Sequence, residues 1–255
     1  MPRYKLTIEY DGTGLVGWQR QDCGLSVQCL LEAATRRLSG DDVSLAAAGR
    51  TDAGVHATGQ VVHVDLARDF RPDQVRAGVN FWLRAENAPV VVLAAEAVGD
   101  DFHARFSAIG RRYLYRMIDR ASPPILDRHR VLWVRRHLDV TAMHQAAQIL
   151  IGRHDFSTFR AAACQSASPV KTLDRLDVSR VGDEVQIVAW ARSFLHHQVR
   201  NMVGTLRLVG EGKWSDADVA SALAACDRRK GGPTAAAQGL YLTAVIYPPD
   251  DADSL

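Results

Sequence analysis

Val43-Ser44-Leu45-Ala46-Ala47-Ala48-Gly49-Arg50-Thr51-Asp52-Ala53-Gly54-Val55-His56-Ala57 is the stretch on which the reading of this chain turns. The apolar run Val43 to Ala48 leads into it, and the alternating run Val62-His63-Val64-Asp65-Leu66 follows. The first predicts a buried strand and the second a half-buried one. Between them lies a loop with two glycines, an arginine, an acid and a histidine. Gly49 and Gly54 admit positive φ or the close approach of a ligand's backbone. A carboxylate between a cation and a histidine, in a loop anchored by two strands, fits a reactive group. An Asx-turn, in which Asp52 only bonds its own backbone, fits the same residues. Local chemistry leaves both readings open.

Upstream, Tyr4-Lys5-Leu6-Thr7-Ile8-Glu9-Tyr10 alternates like a strand, and Asp11-Gly12-Thr13-Gly14 reads as a turn before Gly17-Trp18-Gln19-Arg20. Ser26 is a candidate N-cap for a helix whose apolar residues Val27, Leu30, Leu31, Ala34 and Leu38 share one face, ended by Gly40-Asp41-Asp42. Downstream, Pro72 suits a first helical position, with Val75, Val79, Trp82 and Leu83 on one side, and Val90 to Val98 reads as a strand. The resulting order, strand–helix–strand–strand–helix–strand, is the ferredoxin-like pattern.

Phe102 to Ala108 leads into a strand, Arg111-Arg112-Tyr113-Leu114-Tyr115-Arg116-Met117, where alternation puts Tyr113 and Tyr115 on one face and Arg112 and Arg116 on the other. Ser122-Pro123-Pro124 breaks it. The second half repeats the pattern more loosely. A helix is expected from about Thr141, closed by Gly152 as a C-terminal cap. Leu173 to Val178 and Glu184 to Ala191 flank Val181-Gly182-Asp183 as a hairpin. Two helices follow, marked by Val199, Met202, Val203, Leu206 and Val209 and by Asp216, Val219, Ala222, Leu223 and Cys226. Leu240 to Tyr247 is a final strand. The expectation is two α+β halves, residues 1–105 and 106–255.

The 255 residues are 47% hydrophobic and 24% charged, a globular mixture able to bury a core. A formal net charge of +2 is no nucleic-acid signature. The distribution says more: arginine dominates the basic residues and clusters at Arg36-Arg37, Arg111-Arg112, Arg135-Arg136 and Arg228-Arg229-Lys230, while acids gather at Asp250, Asp251 and Asp253. Arginine suits bidentate recognition of phosphate, and any single pair is also ordinary solvated surface. Cys23, Cys29, Cys164 and Cys226 form no ligand-spaced cluster, so zinc is not expected. No leader pattern opens the chain, and the most apolar run, Ala88 to Val98, is far shorter than the ~20 residues of a membrane span. A soluble cytoplasmic protein with reduced thiols is expected. Near the hairpin's end, Phe194-Leu195-His196-His197 precedes a helix on which Arg200 and Arg207 share a face with Gly204 between them. That face would let RNA backbone come close, whereas His196 and His197 read equally as turn or core residues.

Five blocks together carry a family resemblance. They are Tyr10-Asp11-Gly12-Thr13 with Gly17-Trp18-Gln19, Gly49 to Gln60, Phe102 to Tyr115, Phe194 to Gly204, and Gly239-Leu240-Tyr241-Leu242. In this order they resemble the bacterial tRNA pseudouridine synthases of the A type, over residues 4–248. The resemblance implies two ferredoxin-like halves sharing a mixed, mainly antiparallel sheet with a central RNA-binding cleft. It implies isomerisation of uridine to pseudouridine at positions 38, 39 and 40 in the tRNA anticodon stem-loop, without cofactor or metal, by a homodimer. Carried over residue by residue, Asp52 is the catalytic nucleophile, attacking ribose C1′ or uracil C6. Arg200 pairs with Asp52, Tyr113 stacks on the target base, Arg50 holds the flipped nucleotide, and Leu240 packs beneath the site. Leu15 departs from the pattern, standing where an aromatic is common.

Two other classes fit parts of the chain. A non-catalytic RNA-binding module of ferredoxin-like shape would bind RNA on an aromatic-bearing sheet, yet gains nothing from a loop acid that RNA repels. A carboxylate-based hydrolase calls for a second acid beside Asp52, and none stands out.

Overall fold

The computed structural model describes residues 1–249; Asp250, Asp251 and Asp253 lie outside the described residues. The chain is α+β and forms two compact units. The first runs from Met1 to Ile109 and takes in the chain again from Tyr241; the second is Gly110–Leu240. The boundary expected at 105/106 thus sits four residues early, and the last strand belongs with the first unit rather than the second.

In the first unit the elements are β1 (Arg3–Tyr10), α1 (Val27–Ser39), β2 (Ala46–Ala47), β3 (His56–Asp65), α2 (Pro72–Ala85) and β4 (Val90–Val98). β1 lies between β4 and β3, antiparallel to both, and β2 pairs antiparallel with β3. The order β4-β1-β3-β2 is the ferredoxin-like arrangement read from the sequence. Tyr4, Leu6, Ile8 and Tyr10 point from β1 into the core. α1 starts where Ser26 accepts a hydrogen bond from Cys29 N and stops at Gly40, whose φ of 83° only glycine adopts easily. Pro72 opens α2, and the two helices pack together.

Two expectations change here. The run Val43 to Ala48 supplies only a two-residue strand, because it is an edge of small alanines that pairs on one side alone. β3 is not half-buried: nearly every residue in it is buried. The segment around Phe102 and Ala104 covers its second face, where Ala104 N donates to His63 Nδ1 at 3.1 Å and Ala48, Val61 and Ala104 pack with Phe102, Val245 and Tyr247. The strand β10 (Leu240–Ile246) runs parallel to β3 at His56 and Ala57.

The second unit holds β5 (Gly110–Ile118), β6 (Leu132–Trp133), α3 (Val140–Gln148), β7 (Gly152–Asp155), β8 (Val170–Val181), β9 (Glu184–Ala191), α4 (Gln198–Gly210) and α5 (Asp216–Ala224). Its sheet runs β5-β9-β8-β7, antiparallel throughout, with β6 parallel to the end of β5. β8 and β9 form the expected hairpin, turning through Gly182 at φ 57°. α3 ends at Gln148, so Gly152, at φ 107°, opens β7 instead of capping the helix. Asp119 is buried against β8, where it accepts both guanidinium nitrogens of Arg180 at 2.8 and 2.7 Å. Among the described residues no helix is long and apolar enough to cross a membrane.

Candidate active site

The Asp52 loop hangs between β2 and β3 and leans on the turn after β1. Trp18 N donates to Thr51 O at 3.0 Å, and Gly54 N donates to Leu15 O at 3.3 Å. Val55 N donates to Asp52 O at 3.1 Å, closing a turn over Ala53 and Gly54. Gly54 takes φ 76°, as its sequence position allows, whereas Gly49 is not among the positive-φ glycines. An Asx-turn would recruit Gly54 N for the Asp52 side chain; that donor goes to Leu15 instead. The turn is closed by backbone, and Asp52 is half-buried within it. Arg50 is exposed two residues earlier.

The contact between the two turns is tight enough to require glycine. At Gly17, φ is 102° and a Cβ would lie 2.6 Å from Thr51 O; at Gly12 a Cβ would fall into the carbonyl of Val55. The base of the loop is tied by side chains buried in the first unit. Tyr10 Oη and Thr51 Oγ1 are 2.8 Å apart, Gln60 Nε2 donates to Gly49 O at 2.7 Å, and Gly12 N donates to His56 Nδ1 at 3.0 Å. The His56 ring stacks on Tyr241 of β10, with centroids 4.7 Å apart. Burial pushes the Tyr10 phenol up to about 12, against the lowering effect of its bonds to Thr51 and Gln60. Sequence reading passed over Tyr10, Thr51 and Gln60 as site residues. The available signal was Gln60 itself, an amide among the buried residues that open β3.

The other three candidates stand in the second unit. Tyr113 and Tyr115 share one face of β5, as alternation requires, but their surroundings differ. Tyr115 is fully buried and donates from its hydroxyl to Ala236 O at 2.7 Å; burial raises its pKa, against the opposing charges of Arg200 and Arg207. Tyr113 is half-buried and meets Phe194 edge-on, with centroids 5.2 Å apart. Arg200 lies in the first turn of α4. Its Nε donates to Ala235 O at 2.8 Å, and Ala235 N returns a bond to Arg200 O at 3.0 Å. Leu240 is buried at the start of β10, just after a 3₁₀ turn over Ala237–Gly239 that passes across the Tyr115 ring.

Three expectations for α4 are corrected or resolved. Gly204 does not make room for RNA: a Cβ there would run into the carbonyl of Pro233, so the chain's own segment fills that space. Arg207 pairs within the helix with Glu211 at 3.5 Å. His197 is a turn residue, taking φ 62° at the N-cap of α4, and His196 beside it is exposed. One arginine of the Arg111-Arg112 pair is also withdrawn from any surface role: Arg111 is 8% exposed and donates to Arg192 O at 2.6 Å.

Residues 6–107 and 146–248 match the tRNA pseudouridine synthase family. Among curated proteins the chain is 64% identical to "tRNA pseudouridine synthase A" of Paramagnetospirillum magneticum over 247 residues, covering 97% of this chain and 96% of that one. It is 62% identical to the protein of the same name from Azorhizobium caulinodans over 248 residues, covering 97% and 95%. With Beijerinckia indica the identity is 60% over the same length and coverage. A fixed aspartate loop on a ferredoxin-like unit, joined to matches over both units, leaves one conclusion: the chain belongs to the tRNA pseudouridine synthase family.

Proposed function

We propose that this protein isomerises uridine to pseudouridine in tRNA at positions 38, 39 and 40 of the anticodon stem-loop, with Asp52 as nucleophile. The observation that carries the reading is the half-buried Asp52 in a loop braced by backbone bonds, from Val55 N to Asp52 O and from Gly54 N to Leu15 O. The family names of the relatives supply the reaction class. The substrate base is paired or stacked, so it has to leave the helix before any carboxylate reaches it. Tyr113, half-buried with its ring braced by Phe194, is assigned to stack on the extruded uracil, and exposed Arg50 to hold the nucleotide's phosphate. Asp52 either displaces N1 from C1′ or adds to C6 as the bond from N1 to C1′ breaks, and the freed uracil turns. C5 then bonds to C1′, the bond from Asp52 to C1′ (or, by elimination, to C6) breaks to restore the carboxylate, and the proton from C5 leaves to solvent. Arg200 is assigned to keep Asp52 ionised and oriented through paired N–H donors while RNA excludes water. Leu240 is assigned to the apolar floor. The assembly implied by the family resemblance is a homodimer acting in the cytoplasm.

The test uses unmodified tRNA tritiated at uridine C5. Release of tritium to water and new pseudouridine confined to positions 38–40 is the expected result. Release with pseudouridine elsewhere keeps the reaction and overturns the positions; no release overturns the reaction.

A further inference from the structure

Most of the first unit's inward-facing β1 side chains are apolar, yet the row Tyr4, Leu6, Ile8, Tyr10 ends in a phenol that is 3% exposed and bonded to Thr51. Fully buried Gln60 lies one strand away; it donates to Gly49 O and also bonds the Tyr10 hydroxyl. These two side chains grip the loop on either side of Arg50, and Thr51 immediately precedes Asp52. The opposite side of the loop is held by backbone bonds from Trp18 and to Leu15. We propose that Tyr10 and Gln60 are positioning residues for the reaction, fixing the Asp52 backbone through Thr51 and Gly49 without touching substrate. The proposal rests on the reading of Asp52 as nucleophile.

Removing both partners of a buried hydrogen bond with apolar groups of the same shape is close to neutral for stability, so a core does not need this pair in order to be packed. A nucleophile has to stand within about 3–3.5 Å of its target with aligned orbitals, and a 1 Å error costs on the order of a hundredfold in rate. Without the Tyr10 tie, the residue before Asp52 is held by main chain alone. The raised pKa of Tyr10 keeps its hydroxyl protonated across neutral pH, so the tie is constant there and shapes no pH profile.

The experiment compares Tyr10→Phe/Thr51→Val, Thr51→Ser and the unaltered protein in turnover at saturating tRNA, KM and thermal midpoint. Thr51→Ser keeps the hydroxyl and is expected to retain the full rate. The double variant is expected to melt within a few degrees of the unaltered protein and to keep KM within twofold, while kcat falls tenfold or more. A kcat loss under threefold in the double variant overturns the proposal. So does an equal loss in Thr51→Ser, which would show that keeping the hydroxyl does not keep the rate. Should the double variant melt far lower, Gln60→Leu read the same way decides: a selective kcat loss supports the tie, and an unchanged kcat overturns it. Asp52→Asn separates the two layers. If it keeps turnover, the nucleophile assignment fails; if it is dead while the tie variants run at full rate, only the positioning role fails.

Discussion

Asp52 stands half-buried in a turn that backbone bonds from Val55 to Asp52 O and from Gly54 to Leu15 O brace. Asp52→Asn is therefore expected to abolish tritium release while tRNA binding persists or tightens slightly, since a negative charge facing RNA is removed; filter binding and a release assay check both halves. The two tyrosines of β5 should separate cleanly. Tyr113→Phe keeps the ring, so it should retain far more activity than Tyr113→Ala if stacking contributes about 1–3 kcal/mol. Tyr115→Phe removes the donor to Ala236 O and leaves a buried carbonyl short of a partner, a destabilisation of about 1–3 kcal/mol that should appear in the melting midpoint and not in kcat. Arg200→Ala should lower kcat at saturating tRNA at least tenfold, about 1.4 kcal/mol. Arg200→Lys should recover part of that loss, because lysine keeps the charge without the fork. Of these residues, Asp52, Arg50 and Tyr113 stand out in the sequence because their neighbours form the motif, and their roles rest on the variants above. Tyr10 and Gln60 do not stand out: Tyr10 meets Thr51 across 41 positions, and nothing local in an alternating strand marks one aromatic as a tether.

At the scale of elements, α4 is held by a strap as well as by its own apolar face. The segment around Pro233 and Ala235 crosses at Gly204 and bonds Arg200 twice. Gly204→Ala would push this strap away, and overpacking of this kind costs about 1–3 kcal/mol. It should lower the melting midpoint mainly, whereas Arg200→Ala, which also frees Ala235 O, should lower kcat at saturating tRNA by more than its loss of stability explains; calorimetry beside turnover distinguishes them. The long elements were readable: α1 and α2 from apolar spacing and caps, β4, β9 and β10 from β-branched runs. The elements missed or misjudged, β2, β6 and β7, have two to four residues each. Strands that short carry no period, and partners distant in the chain decide them. Gly152 misled for a related reason, since a left-handed glycine serves a strand's first residue as well as a helix's end.

For the molecule as a whole, binding should follow exposed cations. Arg50 and Arg112 remain at the surface while Arg111 is buried. Each phosphate neutralised contributes roughly −0.7 to −0.9 to the slope of log affinity against log salt, so a slope of several units is expected, and one near zero would remove the arginines from the interface. Stability should fall on the acid side in two stages. His63 is held below its ordinary 6.5 by burial first, then by the charges of His103 and Arg3. The fold prefers it neutral, so unfolding takes up a proton and stability declines as pH drops below about 6.5. Asp65, held down by its bond to Arg3, and Glu184, held down by Arg116, lose their contribution only as pH falls below about 4. Melting midpoints from pH 8 to 3 would show both stages, with the first absent in His63→Gln. One more consequence follows from β10, which pairs with the start of β3 and sets Tyr241 against His56. Ribosomes release a chain from its N-terminus at about 5–20 residues per second, and early domains usually fold first. Here the aspartate loop emerges early, but the strand that props it is translated nearly 200 positions later. Nascent chains should therefore carry a complete motif with no working enzyme until the last strand arrives.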